Sequence, residues 1–196
     1  MADPVSVSID CTDIDAALAW YTGEGGLSVD TVFPADAPRQ VALSGSGLRL
    51  TLTADGRAPV PVSAPALVVT RAEDQAFGSG RAGMQYRDLV PGRFGGRYIA
   101  SHIRIEQGGP VPDYVHHHQI DFQMICCVNG WVRVVYEDQG APMLLEAGDC
   151  FLQPPHIRHQ VLECSDKMEV IEIASPAEHE TSVDHAMRLP TERVDP

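Results

Sequence analysis

The stretch YVHHH at residues 114–118, together with PPHIRH at residues 154–159, determines the fold that we predict for this chain. Side chains alternate between the two faces of an extended strand, so His116 and His118 lie on one side, about 6–7 Å apart, while His117 points the other way. A third imidazole from a distant strand would complete a set of three nitrogen ligands. The two stretches therefore predict a divided metal site, which suits iron, manganese, nickel, copper or zinc rather than calcium or magnesium.

The spacing around these histidines forms two motifs. H-x-H-x4-Q-x6-G covers residues 116–130 with Gln123 at its third defined place, and G-x5-P-x-H-x2-H covers residues 148–159. Both motifs resemble those of the cupin family. Members of that family usually carry Glu at the place of Gln123 and Gly at the place of His156. The resemblance covers about residues 84–175.

This resemblance implies a double-stranded antiparallel β-barrel of the jelly-roll type, with the metal inside its mouth. Carried over by position, it implies four ligand places, which are His116, His118, Gln123 and His159. For Gln123 two roles stay open: its amide oxygen ligates the ion, or the amide only hydrogen-bonds a ligand or a water molecule. The cofactor that follows is one divalent transition metal.

The residues before the barrel predict a separate small lobe. Residues 5–9 alternate like a strand, residues 13–21 place apolar side chains on one face of a helix, and further strands are predicted at 27–33, 40–43 and 48–53. The order is β-α-β-β-β. The predicted fold class is thus mainly β, with a cupin barrel preceded by a small α+β lobe.

The same order, with DIDAALAWY at residues 13–21, resembles one half of a glyoxalase-like, vicinal-oxygen-chelate module over about residues 5–54. In that family the first strand usually carries a metal-binding His, and Ser6 stands at its place here. The resemblance therefore implies a lobe without a metal site, used for packing, for dimerisation or as the roof of a pocket. Because a half module exposes sheet surface, a homodimer or close docking within the chain is expected.

The predicted domain organisation has four parts: the lobe at residues 1–55, a Pro/Gly-rich connector at 56–83, the barrel at 84–175 and a C-terminal tail at 176–196. A further strand is predicted near Leu67 in the connector. The tail, which contains His179, is expected to run over the surface as a solvated turn or flap.

Charge and cysteine content exclude several classes of function. The net charge of −13, from 14 basic and 27 acidic residues, argues against binding to nucleic acid or to an anionic membrane. No apolar run is long enough for a membrane span, and the start of the sequence lacks the basic region of a secretory signal. The five cysteines show neither a C-x2-C zinc pattern nor a disulfide framework. The expected compartment is the cytoplasm.

A small-molecule pocket is predicted at the barrel interior. Alternation from Gln123 places Ile125 and Cys127 on the inner face, with Cys127 also explicable as a buried core thiol. Arg97, on the approach to the barrel, is a candidate to hold a carboxylate or enolate through two hydrogen bonds. These three residues are predicted only to line the pocket, and no catalytic residue is assigned.

The function predicted from these residues is that of a metal-dependent cupin enzyme. Three neutral imidazoles and a neutral amide would leave the +2 charge of an ion uncompensated, which favours an anionic, oxygen-chelating, enolisable substrate. With iron the prediction is dioxygenase-type cleavage, and with zinc, nickel or manganese it is isomerase or lyase chemistry. A cupin that binds a small molecule without turnover is the remaining alternative.

Overall fold

The computed structural model describes residues 4–54 and 67–191 and is mainly β. Its first part has the predicted β-α-β-β-β order, which is thereby confirmed. The elements are β1 (Val5–Cys11), α1 (Ile14–Gly23), β2 (Ser28–Phe33), β3 (Gln40–Gly45) and β4 (Leu48–Ala54).

The lobe is a sheet with α1 packed on one of its faces. The helix begins after Asp13, whose carboxylate accepts a hydrogen bond from the Ala16 N–H at 2.9 Å. β1 runs parallel to β4, and the sheet continues β4-β3-β2 with antiparallel pairs. The core between helix and sheet is aliphatic and consists of Ile14, Leu27, Val32, Val41, Leu43, Leu50 and Leu52.

The second part of the chain forms two facing antiparallel sheets, which confirms the barrel prediction. A short 3-10 turn, Arg81–Gly83, lies beside its first strands. The strands are β5 (Gly78–Ser79), β6 (Gln85–Asp88), β7 (Ile99–Ile105), β8 (Gly109–Pro110), β9 (His116–His118), β10 (Phe122–Asn129), β11 (Trp131–Tyr136), β12 (Met143–Glu146), β13 (Cys150–Leu152), β14 (His159–Cys164), β15 (Met168–Ser175) and β16 (Thr181–Val183).

One sheet has the order β13-β10-β15-β7-β6-β5, and the other contains β16-β9-β14-β11-β12 with β8 beside β14. Burial along β7 alternates strictly, as expected for a strand with one face toward the core. Gly130 turns the chain from β10 into β11 with φ of 71°, in the left-handed region that favours glycine, which accounts for the glycine that ends the first motif.

The lobe and the barrel share one sheet through β16. Thr181 of β16 pairs with Val32 of β2 on one side and with His118 of β9 on the other. The order from β1 to β12 is therefore continuous, β1-β4-β3-β2-β16-β9-β14-β11-β12. The prediction that the segment after residue 175 runs over the surface is wrong, because β16 is an inner strand of this sheet.

The predicted connector has little regular structure where it is described. Its proline-rich beginning, residues 56–66, lies outside the described residues, and the strand predicted near Leu67 is absent from the described segment that begins there. The remainder holds the 3-10 turn Ala72–Asp74, the short β5 and the turn Arg81–Gly83. In the ranges that the structure covers, no helix is long and apolar enough to cross a membrane.

Candidate metal centre

The structure brings together three of the four residues predicted as ligands. His116 and His118 project from the same face of β9, and His159, the first residue of β14, lies directly opposite His116. All three are buried, and their potential ligand atoms lie within 4.8 Å of one another. His117 faces away from them and is more exposed, as strand alternation predicts.

Hydrogen bonds to Nδ1 fix the orientation of each ring. The Nδ1 atoms of His116 and His159 donate to the carbonyl oxygens of Tyr114 at 2.7 Å and Ile157 at 3.1 Å. In His118 the same atom lies 2.8 Å from Thr181 Oγ1. With Nδ1 engaged in this way, the lone pair of each ring is on Nε2, the arrangement usual for a metal-binding imidazole.

The rings are held in the neutral form that a metal requires. Burial lowers the pKa of His116 and His118 well below the ordinary value, and the charge of Arg81 adds to the effect on His116. Burial also lowers the pKa of His159, to about 4.

Gln123 is buried on the inner face of β10 but is tied into a chain of hydrogen bonds. Its Oε1 accepts from Gln153 Nε2 at 2.8 Å, and its Nε2 donates to the carboxylate of Glu172. Gln153 in turn accepts from the Tyr136 hydroxyl at 3.0 Å and approaches His159 Nε2 to 3.5 Å. The amide oxygen of Gln123 is thus already occupied, which favours the hydrogen-bonding role for Gln123 over direct ligation.

Arg81 is the most prominent residue that the sequence did not indicate. One guanidinium nitrogen donates to Asp113 at 2.6 Å, and another lies 2.7 Å from His116 Nε2. Both partners of the ion pair are buried, and the Nε–H of Arg81 is buried without a hydrogen-bond partner. Burial opposes the charge, but Asp113 together with the nearby Tyr86 and Tyr114 outweighs it, so the pKa of Arg81 is raised and the residue stays a cation. An ion bound at His116 Nε2 would displace this guanidinium and free further donors.

Two further groups line the cavity: Glu172, which the sequence did not indicate, and His179, which was expected in a surface tail. Glu172 lies on β15 with its carboxylate bonded to Gln123, and burial raises its pKa. His179 is buried, its ring centre lies 5.4 Å from that of His118, and its Nδ1 bonds the Pro176 carbonyl at 3.1 Å. The pattern around Glu172 indicates only a strand, so no local signal distinguishes that residue, whereas His179 lies in the tail that was expected to run over the surface.

Arg81, Gln123, Glu172 and His179, together with His118 and His159, line one cavity inside the barrel, with a volume of about 100 Å³. Its walls are otherwise largely apolar and include Ile99, Ile103, Ile125, Val132, Val134 and Phe151.

Of the residues predicted for the pocket, Ile125 lines this cavity. Cys127 instead packs in the core beside it, and Arg97 is exposed on the turn before β7. The structure brings neither of the last two to the cavity wall. Arg81 provides the cation there in place of Arg97.

The lobe contributes to the cavity as a roof. Ala35 and Asp36, from the loop between β2 and β3, are among its lining residues. Asp36 is fixed to the barrel by an ion pair with Arg93 at 2.5 Å, and Arg93 also bonds Asp88 at 2.8 Å. Of the three uses expected for the lobe, packing and roofing are therefore both observed.

His156 is one departure from the cupin motif, and its backbone conformation shows what the motif requires at this position. It stands where members of that family usually carry Gly, and its φ is 61°. This is the left-handed region, in which glycine is favoured because it lacks Cβ. The backbone shape of the motif is therefore retained, although the residue differs.

No protein-family model matches this sequence, and no curated protein matches it. Similar solved structures include an RmlC-like cupin from Shewanella frigidimarina, at 27% identity and a TM-score of 0.47 over 57% of this chain and 93% of that one. KdgF from Halomonas sp. is 19% identical, with a TM-score of 0.46 over 56% of this chain and 94% of that one. The polyketide cyclase RemF from Streptomyces resistomycificus is 17% identical, with a TM-score of 0.52 over 64% of this chain and 90% of that one.

The likeness to RemF concerns the fold. Two antiparallel sheets face each other around an interior that holds His116, His118 and His159, and the two sequence motifs supply these residues. Together with that likeness, these features define the chain as a protein of the cupin fold.

Proposed function

We propose that this protein is a metal-dependent enzyme that binds a small, anionic, enolisable molecule through two oxygen atoms. The observation that carries the proposal is the grouping of three neutral imidazoles, two of which, His118 and His159, line a cavity that also presents a cation, Arg81, and a carboxylate, Glu172. The proposed cofactor is one divalent ion, iron, manganese, nickel or zinc, held by His116, His118 and His159.

A bound ion would supply positive charge that polarises the oxygen atoms of a chelating molecule and, in the case of iron, a position for dioxygen. Arg81 supports an anionic ligand, since its buried Nε–H has no partner and a carboxylate or enolate oxygen would accept from it. The three neutral histidines would add no negative charge to the bound ion. Two carboxylates, Asp36 and Glu172, also line the cavity, but neither is part of the histidine cluster.

Glu172 is the proposed base. Burial raises its pKa, so its carboxylate is a better proton acceptor than an exposed one. The Gln123 amide donates to it and orients it. A proton taken from the carbon beside a chelated carbonyl would leave an enolate, whose negative oxygen Arg81 can stabilise. The apolar walls exclude water from this step.

With iron, we propose dioxygenase-type chemistry: the enolate and dioxygen would combine, a carbon–carbon bond of the substrate would break, and both oxygen atoms would end in the two products. The position of Glu172 also favours a second candidate, isomerisation or elimination by proton transfer without oxygen, which suits zinc, nickel or manganese. The two candidates share the same ligand class and differ in the need for dioxygen.

The experiment is reconstitution with each metal and exposure to diketones, enediols and catechols with dioxygen present. Oxygen uptake that accompanies loss of the test compound, and that is abolished in His159→Ala, would support a dioxygenase. Conversion without oxygen uptake would support the second candidate. Binding of these compounds with no conversion under any metal would identify a binding protein without turnover.

The role of Arg81 has its own test. In metal-loaded protein, Arg81→Lys should weaken the binding of oxalate by about tenfold, because a charge-assisted pair is lost while the charge that balances Asp113 is kept. Arg133→Lys is the matched control, since Arg133 pairs with Glu163 near the surface at 2.7 Å. Equal oxalate affinity in the native protein and in Arg81→Lys would contradict the assignment.

We further propose a cytoplasmic homodimer. The described cysteines are all free thiols, which supports a reducing compartment.

The dimer is proposed from the edge of the sheet. β1 is the end strand of the larger sheet, with Val5 and Val7 exposed, and such an edge can pair with a second copy. Light scattering of the native chain and of Val7→Lys tests this. A native monomer would contradict the dimer.

A further inference from the structure

Two cysteines form a close pair on the outside of the barrel, away from the histidines. Cys126 on β10 and Cys150 on β13 lie directly opposite each other in the antiparallel register, and their sulfur atoms are 2.9 Å apart. Cys150 is exposed and Cys126 is partly exposed. A soluble oxidant can therefore reach the pair.

The register suits a bond between these two sulfur atoms. In the β10–β13 pair the Gln153 N–H donates to the Gln123 carbonyl at 2.9 Å, so the hydrogen-bonded positions fall on odd residues of β10. Cys126 and Cys150 therefore occupy a non-hydrogen-bonded position, where opposite Cα atoms are about 4.5 Å apart. That separation lies within the range that a disulfide spans.

We propose that Cys126 and Cys150 form a reversible redox pair that closes to a disulfide on contact with a peroxide. The Cys150 thiolate attacks one oxygen of hydrogen peroxide, which cleaves the O–O bond, releases water after proton uptake and leaves a sulfenic acid on Cys150. The Cys126 sulfur then attacks the Cys150 sulfur, and a second water molecule leaves. Two thiols are oxidised by two electrons, and one peroxide is reduced to two waters.

The structure assigns different roles to the two sulfurs. Cys126 donates its S–H to Cys150, and this hydrogen bond raises the pKa of Cys126. Cys150 is thus the accepting and more exposed sulfur, which makes it the attacking group, while Cys126 resolves the sulfenic acid. Cys127 and Cys164 are buried in the core, where burial raises their pKa, and they are not expected to react.

The bond would fasten an edge strand that serves the cavity. β13 is three residues long and pairs only with β10 within the described residues. It carries Phe151 into the cavity wall and leads directly to Gln153, which bonds Gln123. Linking Cys150 to β10 would restrict the opening of this strand, so the oxidised protein should unfold at a temperature several degrees higher.

The test uses the full chain with a chelator present, so it depends on neither metal nor substrate, and its failure leaves the proposed function untouched. After treatment with hydrogen peroxide, the protein is denatured, its free thiols are alkylated, and peptides are identified by mass spectrometry. The expected result is a Cys126–Cys150 crosslink within a single chain, reversed by dithiothreitol, with the other three thiols free.

Cys150→Ser should lose the crosslink and the rise in unfolding temperature. Cys11→Ser is the matched control, because Cys11 is also partly exposed but its sulfur bonds the Ile9 carbonyl rather than a thiol, and it should behave as the native chain. Three outcomes would overturn the proposal: both thiols stay free after peroxide treatment, Cys150 accumulates as sulfinic acid beside free Cys126, or the sulfurs crosslink two chains instead.

Discussion

The lobe and the barrel lie on one continuous sheet, yet their interiors are built differently. Between α1 and its sheet, the lobe buries seven aliphatic side chains, and none of the buried polar residues in the described part of the chain lies in the lobe. The barrel interior instead buries several polar side chains, which are His116, His118, Gln123, Gln153 and His159. A buried polar group is destabilising unless it is hydrogen-bonded, and an aliphatic core of similar size avoids that cost. The barrel therefore combines an apolar core of its own with the buried histidines of the candidate metal centre, whereas the lobe core is aliphatic.

Thr181 stands where the two interiors meet. It is fully buried in β16, its neighbour on one side is Val32 of the lobe core, and its hydroxyl lies 2.8 Å from His118 Nδ1. The lobe therefore supports a strand that orients a predicted metal ligand. This arrangement connects the packing of residues near the start of the chain with the geometry of the histidine cluster.

The largest expected effect is loss of metal from the barrel. His118→Ala should lower the affinity for a divalent first-row ion by more than about 100-fold, because it removes one of three imidazole ligands. His117→Ala is the matched control, since His117 is the next residue along the strand and its ring faces away from the cluster. Isothermal titration of both variants checks this, and similar weakening in the two variants would contradict the assigned site.

A change in the lobe core should alter stability and leave the metal site intact. Leu52 is completely buried, so Leu52→Ala should reduce the free energy of unfolding by about 2–5 kcal/mol. Leu152→Ala is the control, because Leu152 is 64% exposed and should change stability by less than about 0.5 kcal/mol. Denaturant titration measures both. A lower metal affinity in folded Leu52→Ala protein would contradict the expectation that the lobe core does not affect the metal site.

A change at the junction should have an intermediate effect on the metal. Thr181→Val keeps the shape of the side chain but leaves the His118 Nδ1–H without its acceptor, so metal affinity should fall about 10–100-fold. Ser182→Ala, one residue along β16, removes a hydroxyl that bonds Glu180 rather than a histidine, and affinity should be unchanged. Equal metal affinity in Thr181→Val and native protein would show that Thr181 of β16 does not support the metal site.

The smallest effect is expected at the start of the lobe helix. Asp13→Ala removes the acceptor of the Ala16 N–H and should lower the free energy of unfolding by about 1 kcal/mol. Asp13→Asn retains an oxygen at that position and should recover most of the loss. Thermal unfolding of the two variants gives the comparison, and an equal loss in both would show that the hydrogen bond is not the source.

Much of the fold was predictable because its signals are local. Alternation placed His116 and His118 on one face, and turn glycines such as Gly130 follow from backbone conformations that glycine favours. The β-α-β-β-β order follows from periodicity in the same way. The position of β16 was not predictable, since a three-residue strand has too short a pattern and its partners, β2 and β9, are far away in sequence.

The site was predictable only where a motif supplied its residues. His116, His118 and His159 have recognisable spacing, whereas Arg81 lies in a glycine-rich turn and Glu172 in an ordinary strand. What makes these two residues distinctive is burial beside His116 and Gln123, which arises from tertiary packing. The same reason explains why Arg97, an equally plausible cation in the sequence, lies exposed outside the cavity.

The central claim is that one divalent ion is held by the three histidines of the barrel, and X-ray absorption spectroscopy of the metal in purified protein tests it most directly. The predicted spectrum has a first shell of imidazole nitrogens, at about 2.0–2.1 Å if the metal is zinc. A first shell of sulfur at about 2.3 Å, as zinc thiolate would give, or the absence of any bound transition metal, would contradict the claim.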